Sequence, residues 1–397
     1  MYHPETRYSR PFISLTPVEK VGNYHLSDPE IVRDLELVAH QTWTFLQKHL
    51  DINTGLPFDR VELRDKKICL TKITSPSNIG LALLSCVAAD QLNYLCRAQS
   101  LAQVNLLIAS IKKLKTRQGM FINWHHSDSC QPVIHWPNDS QEECVVEEFV
   151  SSVDNAWLAA GLLIASDYFL ELKSEINGIL AQMNFSVFFD EKSNSFAGGI
   201  HQADHLTDYH YPSNFLSETR ILYYVSYLLG QISRETLLRY LNHFPQESYG
   251  GSVFEAIMPL LVFDEQDLSL HAIIDVINSQ QEAGKTHGYW GFSPCDDPED
   301  TYKEFGVGEY KKNGFDVITP HALLLALPYA PVEVLTILQK LAIETEAWTE
   351  NGYVDAVNVR RKKTSESWLF LDQAMIFLSI YQCLVSDNFR KKILLTV

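Results

Sequence analysis

The spacing of apolar residues predicts α-helices along most of this chain. Apolar side chains recur three and four residues apart, which is the period of one face of an α-helix. The first helix begins at Ser27-Asp28-Pro29-Glu30, a capping box with proline in the first turn. We predict twelve helices, at about residues 27–50, 77–95, 100–115, 153–171, 174–184, 216–229, 233–242, 252–263, 269–283, 319–328, 331–345 and 371–386.

The connections between these helices alternate in length. Helices two and three, four and five, six and seven, eight and nine, and ten and eleven are joined by short links, which make antiparallel neighbours. The remaining connections are mostly long, so they are expected to emerge at one end. Twelve helices connected in this way predict a single all-α domain over residues 1–397, an (α/α)6 toroid (barrel) of inner and outer helices. The long connections are about 51–76, 116–151, 185–215, 285–318 and 346–370, with a shorter one at 243–251.

Polar side chains stand at the N-termini of the even-numbered helices. These helices are apolar on all sides, as in residues 78–89 and 155–165, which is typical of buried helices. Each begins where a longer loop ends, so their N-termini should surround one end of the barrel. Helix capping explains any single polar residue there, and Glu255 could close a capping box with Ser252. Five at one rim predict a shared site: Asp154, Glu218, Glu255, His321 and Asp372.

The long loops contribute aromatic residues to the same end. Trp124, Trp290 and Phe292 lie in these loops, and Asp296 and Glu304 follow closely. A single loop tryptophan is more often a lid over the core. Together, aromatic faces and carboxylates in a concave site favour carbohydrate, whose C–H faces stack on rings while its hydroxyls form hydrogen bonds.

Composition limits the partners of the chain. With 32 Lys and Arg against 49 Asp and Glu, the net charge of −17 disfavours nucleic acid and anionic membranes. No apolar stretch approaches the length that spans a bilayer, and the first residues do not form a secretory signal, so a cytoplasmic location is expected. The seven scattered cysteines predict neither a disulfide framework nor a zinc ribbon.

Cofactor motifs are sparse. His201 and His205 are spaced as metal ligands could be, but they lie in a loop bounded by glycine and proline, and no second ligand motif accompanies them. There is no glycine-rich phosphate loop and no Gly-x-Ser-x-Gly nucleophile motif. We therefore expect no metal and no cofactor.

The sequence resembles the glucoamylase-like family, which includes bacterial endo-β-1,2-glucanases and the transglycosylase domain of cyclic β-1,2-glucan synthases. The resemblance covers about residues 70–380. It is carried by the runs beginning at Thr74, Gly119, Ser152, Ser217, Gly250, Tyr289, Tyr302, Val317, Gly352 and Leu371, among them Ser217-Glu-Thr-Arg-Ile221, Tyr289-Trp-Gly-Phe-Ser-Pro294 and Leu371-Asp-Gln-Ala-Met375.

The resemblance implies an (α/α)6 barrel and roles for particular residues. Glu218 matches the glutamate that acts as the acid in the glucanases, and Asp372 matches the aspartate that acts as the base. Asp154 matches an aspartate that lines the substrate site. The residues expected to contact substrate are Asp154, Trp124, Trp157, Arg220, Glu255, Trp290, Phe292, Asp296, Glu304 and His321.

The sequence departs from this family at three places. Trp157 stands where the glucanases carry a glutamate, and Pro294 stands where the transglycosylase carries one. The segment between Gly230 and Gly250 is also shorter than in similar sequences.

The leading hypothesis is an inverting glycoside hydrolase acting on an oligo- or polysaccharide, a β-glucan that is plausibly β-1,2-linked. An inverting pair of carboxyls is separated by roughly 6.5–9.5 Å, or acts through a substrate hydroxyl. The alternative is a non-catalytic glycan-binding or regulatory protein on the same barrel. A third and weaker hypothesis is another (α/α)6 enzyme that acts on a lipid or peptide. The sequence leaves endo or exo action and the oligomeric state open.

Overall fold

Twelve α-helices account for much of the described chain. The structure, a computed structural model, describes residues 10–15, 26–136, 145–193, 195–208, 215–242, 247–299, 301–308 and 314–392. In these residues the helices are α1 (Pro29–Lys48), α2 (Pro76–Gln91), α3 (Arg97–Ile111), α4 (Ser152–Tyr168), α5 (Lys173–Leu180), α6 (Arg220–Leu228), α7 (Arg234–Asn242), α8 (Val253–Ile257), α9 (Gln266–Gly284), α10 (Pro320–Ala326), α11 (Pro331–Glu344) and α12 (Phe370–Leu384). Each predicted helix corresponds to one of these, so the helical prediction is confirmed.

The eighth helix is shorter than predicted. It was expected over 252–263, but the α-helix ends at Ile257 and continues as a 3-10 turn over Met258–Leu261. Pro259 has no N–H to donate to the carbonyl oxygen four residues before it, so the regular helix ends there. Further 3-10 turns lie at Leu170–Leu172, Phe185–Phe188 and Tyr249–Gly251.

Most of the even-numbered helices pack against one another, and each odd-numbered helix packs on one even-numbered helix. Helix α2 contacts α4 and α12, α4 contacts α6, α8 contacts α10, and α10 contacts α12. Helices α1, α3, α5, α7, α9 and α11 pack on α12, α2, α4, α6, α8 and α10 respectively. In the described part of the chain, no helix is both long and apolar enough to cross a membrane.

Two glycines allow α2 and α4 to approach closely. A Cβ on Gly161 would lie 2.8 Å from the Cα of Gly80, and a Cβ on Gly80 would overlap the backbone carbonyl of Trp157. Because neither glycine carries a side chain, the two backbones meet directly. This contact sets the distance between the first turns of α2 and α4, where Ser77 and Asp154 lie.

Short strands lie in the long connections, although the sequence predicted an all-α chain. Backbone N–H and C=O groups in a partly buried loop need partners, and these strands supply them. The longest pairing is a three-stranded antiparallel sheet in which residues Arg60–Arg64 lie between Lys67–Thr71 and Ser367–Leu369. The strands are β1 (Arg60–Arg64), β2 (Lys67–Thr71), β3 (Ile73–Thr74), β4 (Thr116–Arg117), β5 (Met120–Phe121), β6 (His125–His126), β7 (Val150–Ser151), β8 (Phe189–Asp190), β9 (Ser195–Phe196), β10 (Gly199–Ile200), β11 (Phe215–Leu216), β12 (Glu247–Ser248), β13 (Phe263–Asp264), β14 (Cys295–Asp296), β15 (Tyr302–Lys303), β16 (Val317–Ile318), β17 (Trp348–Thr349), β18 (Gly352–Tyr353), β19 (Val357–Asn358), β20 (Lys363–Thr364), β21 (Ser367–Leu369) and β22 (Lys391–Lys392).

A paired strand lies just before five of the six even-numbered helices. Strands β3, β7, β11, β16 and β21 precede α2, α4, α6, α10 and α12, and each is paired with another strand. The backbone is therefore held by hydrogen bonds immediately before it enters each of these helices. The first turn of each of these helices, which carries the polar side chains, is therefore held between a paired strand and the rest of the helix.

Candidate functional site

Polar side chains converge at the N-terminal ends of the even-numbered helices. Asp154, Glu255 and Asp372 each lie in the first turn of a helix, in α4, α8 and α12. Glu218 lies two residues before α6, and His321 is the second residue of α10. These five residues form two groups, one around Glu218 and one around Asp372.

Glu218 is held by two hydrogen bonds. The indole Nε1 of Trp157 donates to Oε2 of Glu218 at 2.9 Å, and the backbone N–H of Glu218 donates to Oε2 of Glu255 at 3.0 Å. Burial and then the charge of Glu255 raise the pKa of Glu218 well above its ordinary value, while the Trp157 hydrogen bond opposes the rise. Burial also raises the pKa of Glu255 to about 7. A carboxyl that keeps its proton near neutral pH is suited to general acid catalysis.

Asp154 lies beside this group and is bound by hydroxyls. The Ser77 hydroxyl donates to Oδ1 of Asp154, and the Ser151 hydroxyl accepts from the Asp154 backbone N–H at 3.2 Å. Burial raises the pKa of Asp154, and the hydrogen bonds of the two serines oppose that rise. The half-buried Asp154 carboxyl is placed to accept a hydrogen bond from a ligand hydroxyl.

Arg220 was expected to contact substrate, but its side chain is fully buried behind the Glu218 group. Its Nε donates to Glu265 at 2.9 Å, and its two terminal nitrogens donate to the carbonyl oxygens of Ser217 (3.0 Å) and Ala256 (2.6 Å). Glu265 is also fully buried and accepts a hydrogen bond from Tyr224 at 3.0 Å. Arg220 therefore joins the chain beside Glu218 to the chain beside Glu255, and it has no face open to a ligand.

Asp372 forms a second group with Asp355 and His321. Asp372 and Asp355 are 4% and 1% exposed, and their carboxyls hydrogen-bond to each other. Burial, and then the charge of Asp355, raise the pKa of Asp372 well above its ordinary value, and burial raises the pKa of Asp355 to about 6. A hydrogen bond between two carboxyls needs one proton, so the pair carries one negative charge when it is singly protonated.

His321 completes this group without forming a hydrogen bond. Its Nδ1 lies 3.6 Å from Oδ2 of Asp372, and neither ring nitrogen has a hydrogen-bond partner. Burial lowers the pKa of His321 to about 3, so the ring is neutral at ordinary pH. Within the described residues, the ligand atoms of His321, Asp355 and Asp372 lie within 4.8 Å of one another and could hold a cation.

The first long loop contributes charged residues that the sequence did not single out. Arg60 on β1 pairs with Asp296 at 3.2 Å, and the backbone N–H of Asp296 donates to Asp355 at 2.6 Å. Asp59, next to Arg60, accepts a hydrogen bond from Asn78 of α2 at 3.0 Å. The order β2–β1–β21 explains this arrangement, because it places the first loop beside the strand that leads into α12.

The two groups are within electrostatic reach of each other. Burial is the largest cause of the raised pKa values of Glu218, Asp59 and Asp372. The charge of Asp154 also raises the pKa values of Glu218 and Asp59, and the charge of Asp59 also raises the pKa of Asp372. Asp154 and Asp59 therefore couple the Glu218 group to the Asp372 group electrostatically.

Sequence analysis missed Asp355, Asp59, Arg60 and Ser77. Asp355 was visible only as part of Gly352-Tyr-Val-Asp-Ala-Val357, one of the runs that carry the family resemblance. Ser77 lies in another such run, where it looks like an ordinary polar residue of a helix N-terminus. Asp59 and Arg60 precede that region, and no signal in the sequence marks them.

The predicted aromatic contacts fall into different environments. Trp157, Trp290 and Phe292 are 1%, 4% and 0% exposed, so in this conformation their rings present no open face. Trp290 lines a surface cavity of about 310 Å³ together with residues of α9 and α11. Trp124 is partly buried and packs edge-on against Trp136, with ring centroids 5.4 Å apart. Trp124 and its neighbour Trp136 therefore keep part of their ring surface exposed.

The remaining predicted contacts stay predictions. Glu304 is exposed, and its charge contributes to the raised pKa of Glu255, which places it near the Glu218 group. Asp296 belongs to the Asp372 group through Asp355 and Arg60. His201, considered as a metal ligand, approaches Glu147 at 3.0 Å.

Two family profiles match adjoining parts of the chain. Residues 223–396 match a family described as "Putative glucoamylase", and residues 37–227 match one described as a "Protein of unknown function". The resemblance to glucoamylase-like proteins is confirmed.

Known glucoamylase-like proteins show similarity in sequence or in fold. The cyclic β-(1,2)-glucan synthase NdvB of Rhizobium meliloti (strain 1021) is 25% identical over 138 residues, which are 34% of this chain and 4% of that protein. A "putative glucoamylase" of Bacteroides caccae has a TM-score of 0.73 and 16% identity, over 89% of this chain and 94% of its own. The endo-β-1,2-glucanase of Chitinophaga pinensis, in complex with sophorotriose and glucose, has a TM-score of 0.70 and 16% identity, over 88% and 92%. At these identities the two structures show a shared fold.

Proposed function

We propose that this chain is a single-domain (α/α)6 toroid and an inverting glycoside hydrolase that cleaves a β-glucan. The contacts among successive even-numbered helices support a closed inner ring, and Arg220 links α6 to α8 where it bonds the carbonyl of Ala256. The fold shared with an endo-β-1,2-glucanase supports the substrate class. One observation carries the proposal: Glu218 is a half-buried carboxyl that accepts the Trp157 indole N–H at 2.9 Å beside Glu255, and burial raises its pKa well above the ordinary value.

In this mechanism Glu218 donates its proton to the glycosidic oxygen as the bond to the anomeric carbon breaks. A water molecule attacks the opposite face of the sugar, and its proton passes to the Asp355–Asp372 pair. When that pair is singly protonated it carries one negative charge, so it can accept a second proton. The product then has the inverted configuration at the anomeric carbon.

The substrate is a neutral glucan, which we propose is β-1,2-linked. The carboxyls of Asp154, Glu255 and Asp296 line the site, and a polyanionic glycan would be repelled by them and by the net charge of −17. The β-1,2 linkage rests on the printed names of the glucanase and the glucan synthase. Asp154 and the Trp124–Trp136 pair would bind sugar rings.

The test is hydrolysis of linear β-1,2-, β-1,3- and β-1,4-glucans by the wild type and by Glu218→Gln. We expect cleavage of the β-1,2-glucan, a loss of at least about 100-fold in kcat for Glu218→Gln, and initial release of the α-anomer in the NMR spectrum. Glu282→Gln, an exposed carboxylate on α9, serves as the matched control and should keep full activity. Unchanged hydrolysis by Glu218→Gln would refute the assignment of the acid.

A second candidate is a non-catalytic glycan-binding protein. The raised pKa of Asp372 and its 4% exposure favour it, because a buried and protonated carboxyl is a poor base. Binding of a glucan oligosaccharide by calorimetry, without any product at high protein concentration, would support this candidate over the hydrolase.

A further inference from the structure

The side chain of Trp157 has one polar atom, and that atom is committed to Glu218. The side chain is 1% exposed, and its Nε1 lies 2.9 Å from Oε2 of Glu218. A buried indole N–H usually finds an acceptor, and it can only donate. The Trp157 indole therefore donates its hydrogen bond to one particular oxygen of the Glu218 carboxyl.

The choice of oxygen has a chemical consequence. In a protonated carboxyl, one oxygen carries the proton and the other is a carbonyl oxygen, which is the better acceptor. Because the indole donates to Oε2, it favours the form of Glu218 in which Oε1 carries the proton.

We propose that Trp157 is a positioning residue that fixes the Glu218 carboxyl and directs its transferable proton to Oε1. This inference rests on the proposed function of Glu218 as the acid. Trp157 itself does not touch the reacting atoms. Its place in α4 is fixed from behind, because its backbone carbonyl lies against Gly80 of α2.

Other groups also affect the pKa of the Glu218 carboxyl, and their effects must be distinguished from the effect of Trp157. Glu255 on α8 accepts the backbone N–H of Glu218, and Asp154 lies one turn before Trp157 on α4. The charges of both favour the protonated form of Glu218, whereas the Trp157 hydrogen bond favours the ionised form. Removal of the indole N–H should therefore shift the pKa of Glu218 upward, away from its ordinary value.

The first test is the pH profile of kcat/KM for hydrolysis of linear β-1,2-glucan by Trp157→Phe. The acid works only while protonated, so a higher pKa moves the basic limb upward, by about one pH unit. We expect kcat to fall by about 10-fold or more, because the carboxyl loses its orientation, with KM within about twofold. The control is Trp43→Phe, at a buried tryptophan of α1 that stacks on Phe377, which should leave the limb in place. A fall in kcat with no movement of the limb would show a merely structural role and overturn the proposal.

The second test does not require activity. In a ¹H–¹⁵N spectrum, the Trp157 indole signal is identified by its loss in Trp157→Phe. We expect this signal to move with pH in the wild type and to stop moving in Glu218→Gln. If the wild type hydrolyses no glucan but the signal titrates with Glu218, the proposed function fails and the contact stands. A signal that does not respond to Glu218 overturns the proposal about Trp157, whatever the activity.

Discussion

Replacement of Arg220 by methionine tests how the site is held together. Arg220 and Glu265 are both completely buried, and their charged atoms are 2.9 Å apart. Methionine is similar in length, but it has no charge and no donor. The Arg220→Met variant would leave the Glu265 carboxylate with the hydroxyl of Tyr224, and it would remove the donors to the carbonyl oxygens of Ser217 and Ala256.

The Arg220→Met change should lower the free energy of unfolding by a large amount. Removal of one partner of a buried ion pair costs about 3–5 kcal/mol, because the other charge stays buried and unpaired. An unsatisfied buried carbonyl costs about 1–3 kcal/mol more. We therefore expect Arg220→Met to lose roughly 5 kcal/mol of unfolding free energy. A protein of ordinary stability, about 5–15 kcal/mol, would be close to unfolding.

Urea denaturation at pH 7, followed by circular dichroism, measures this loss. A double variant, Arg220→Met with Glu265→Gln, removes the stranded charge and should recover about half of it. Arg239→Met is the matched control, because its partner Glu235 lies 3.2 Å away on an exposed helix surface. An exposed pair contributes less than about 1 kcal/mol. If Arg220→Met loses no more than Arg239→Met, Arg220 does not have this structural role.

Two further predictions concern packing and pH. Gly161→Ala should lose about 1–3 kcal/mol of unfolding free energy because its methyl group would press against Gly80. Gly178→Ala in α5 has nothing within 4 Å of the added Cβ, so it should gain about 0.5–1 kcal/mol. Equal thermal unfolding temperatures for the two variants would contradict the close helix contact. Asp355→Asn should be more stable than the wild type at pH 8, because a buried aspartate whose pKa is raised from 3.8 to about 6 costs about 3 kcal/mol when it ionises. That cost grows as the pH rises from about 4 to about 6. It is absent below about pH 4, where Asp355 is protonated in both the folded and the unfolded state. Urea titrations that show the same stability difference between variant and wild type at pH 4 and pH 8 would contradict this prediction.

The helices followed from the sequence because their pattern is local. An apolar repeat three and four residues apart needs no knowledge of distant residues, and Ser75 and Pro76 mark the start of α2 in the sequence itself. The short strands have no such pattern. Thr74 pairs with His125 across fifty residues, and two residues are too few for an alternation to be visible.

The residues of the candidate site that lie at helix N-termini could be predicted from the sequence. Asp154 and Asp372 open buried helices, and Glu218 immediately precedes one, so their convergence followed from the alternation of loops and helices. The partner of Asp372 was not predictable, because Asp355 lies in a loop and only the fold brings the two carboxyls together. The burial of Phe292 was also hidden, since a loop aromatic residue can face either the core or the solvent.

The three-stranded sheet has a consequence for the order in which the protein is made. Strand β1 pairs with β21 through contacts such as Val61 with Trp368, about three hundred residues later in the chain. The backbone N–H of Phe370, at the start of α12, also donates to Asp59. During synthesis from the N-terminus, α1 to α11 are available before this sheet can be completed. Asp372 can therefore reach the site only after the other helices have been synthesised, and contacts of such long sequence separation form slowly. A nascent chain that stops before Ser367 would contain Glu218 but neither the third strand nor Asp372.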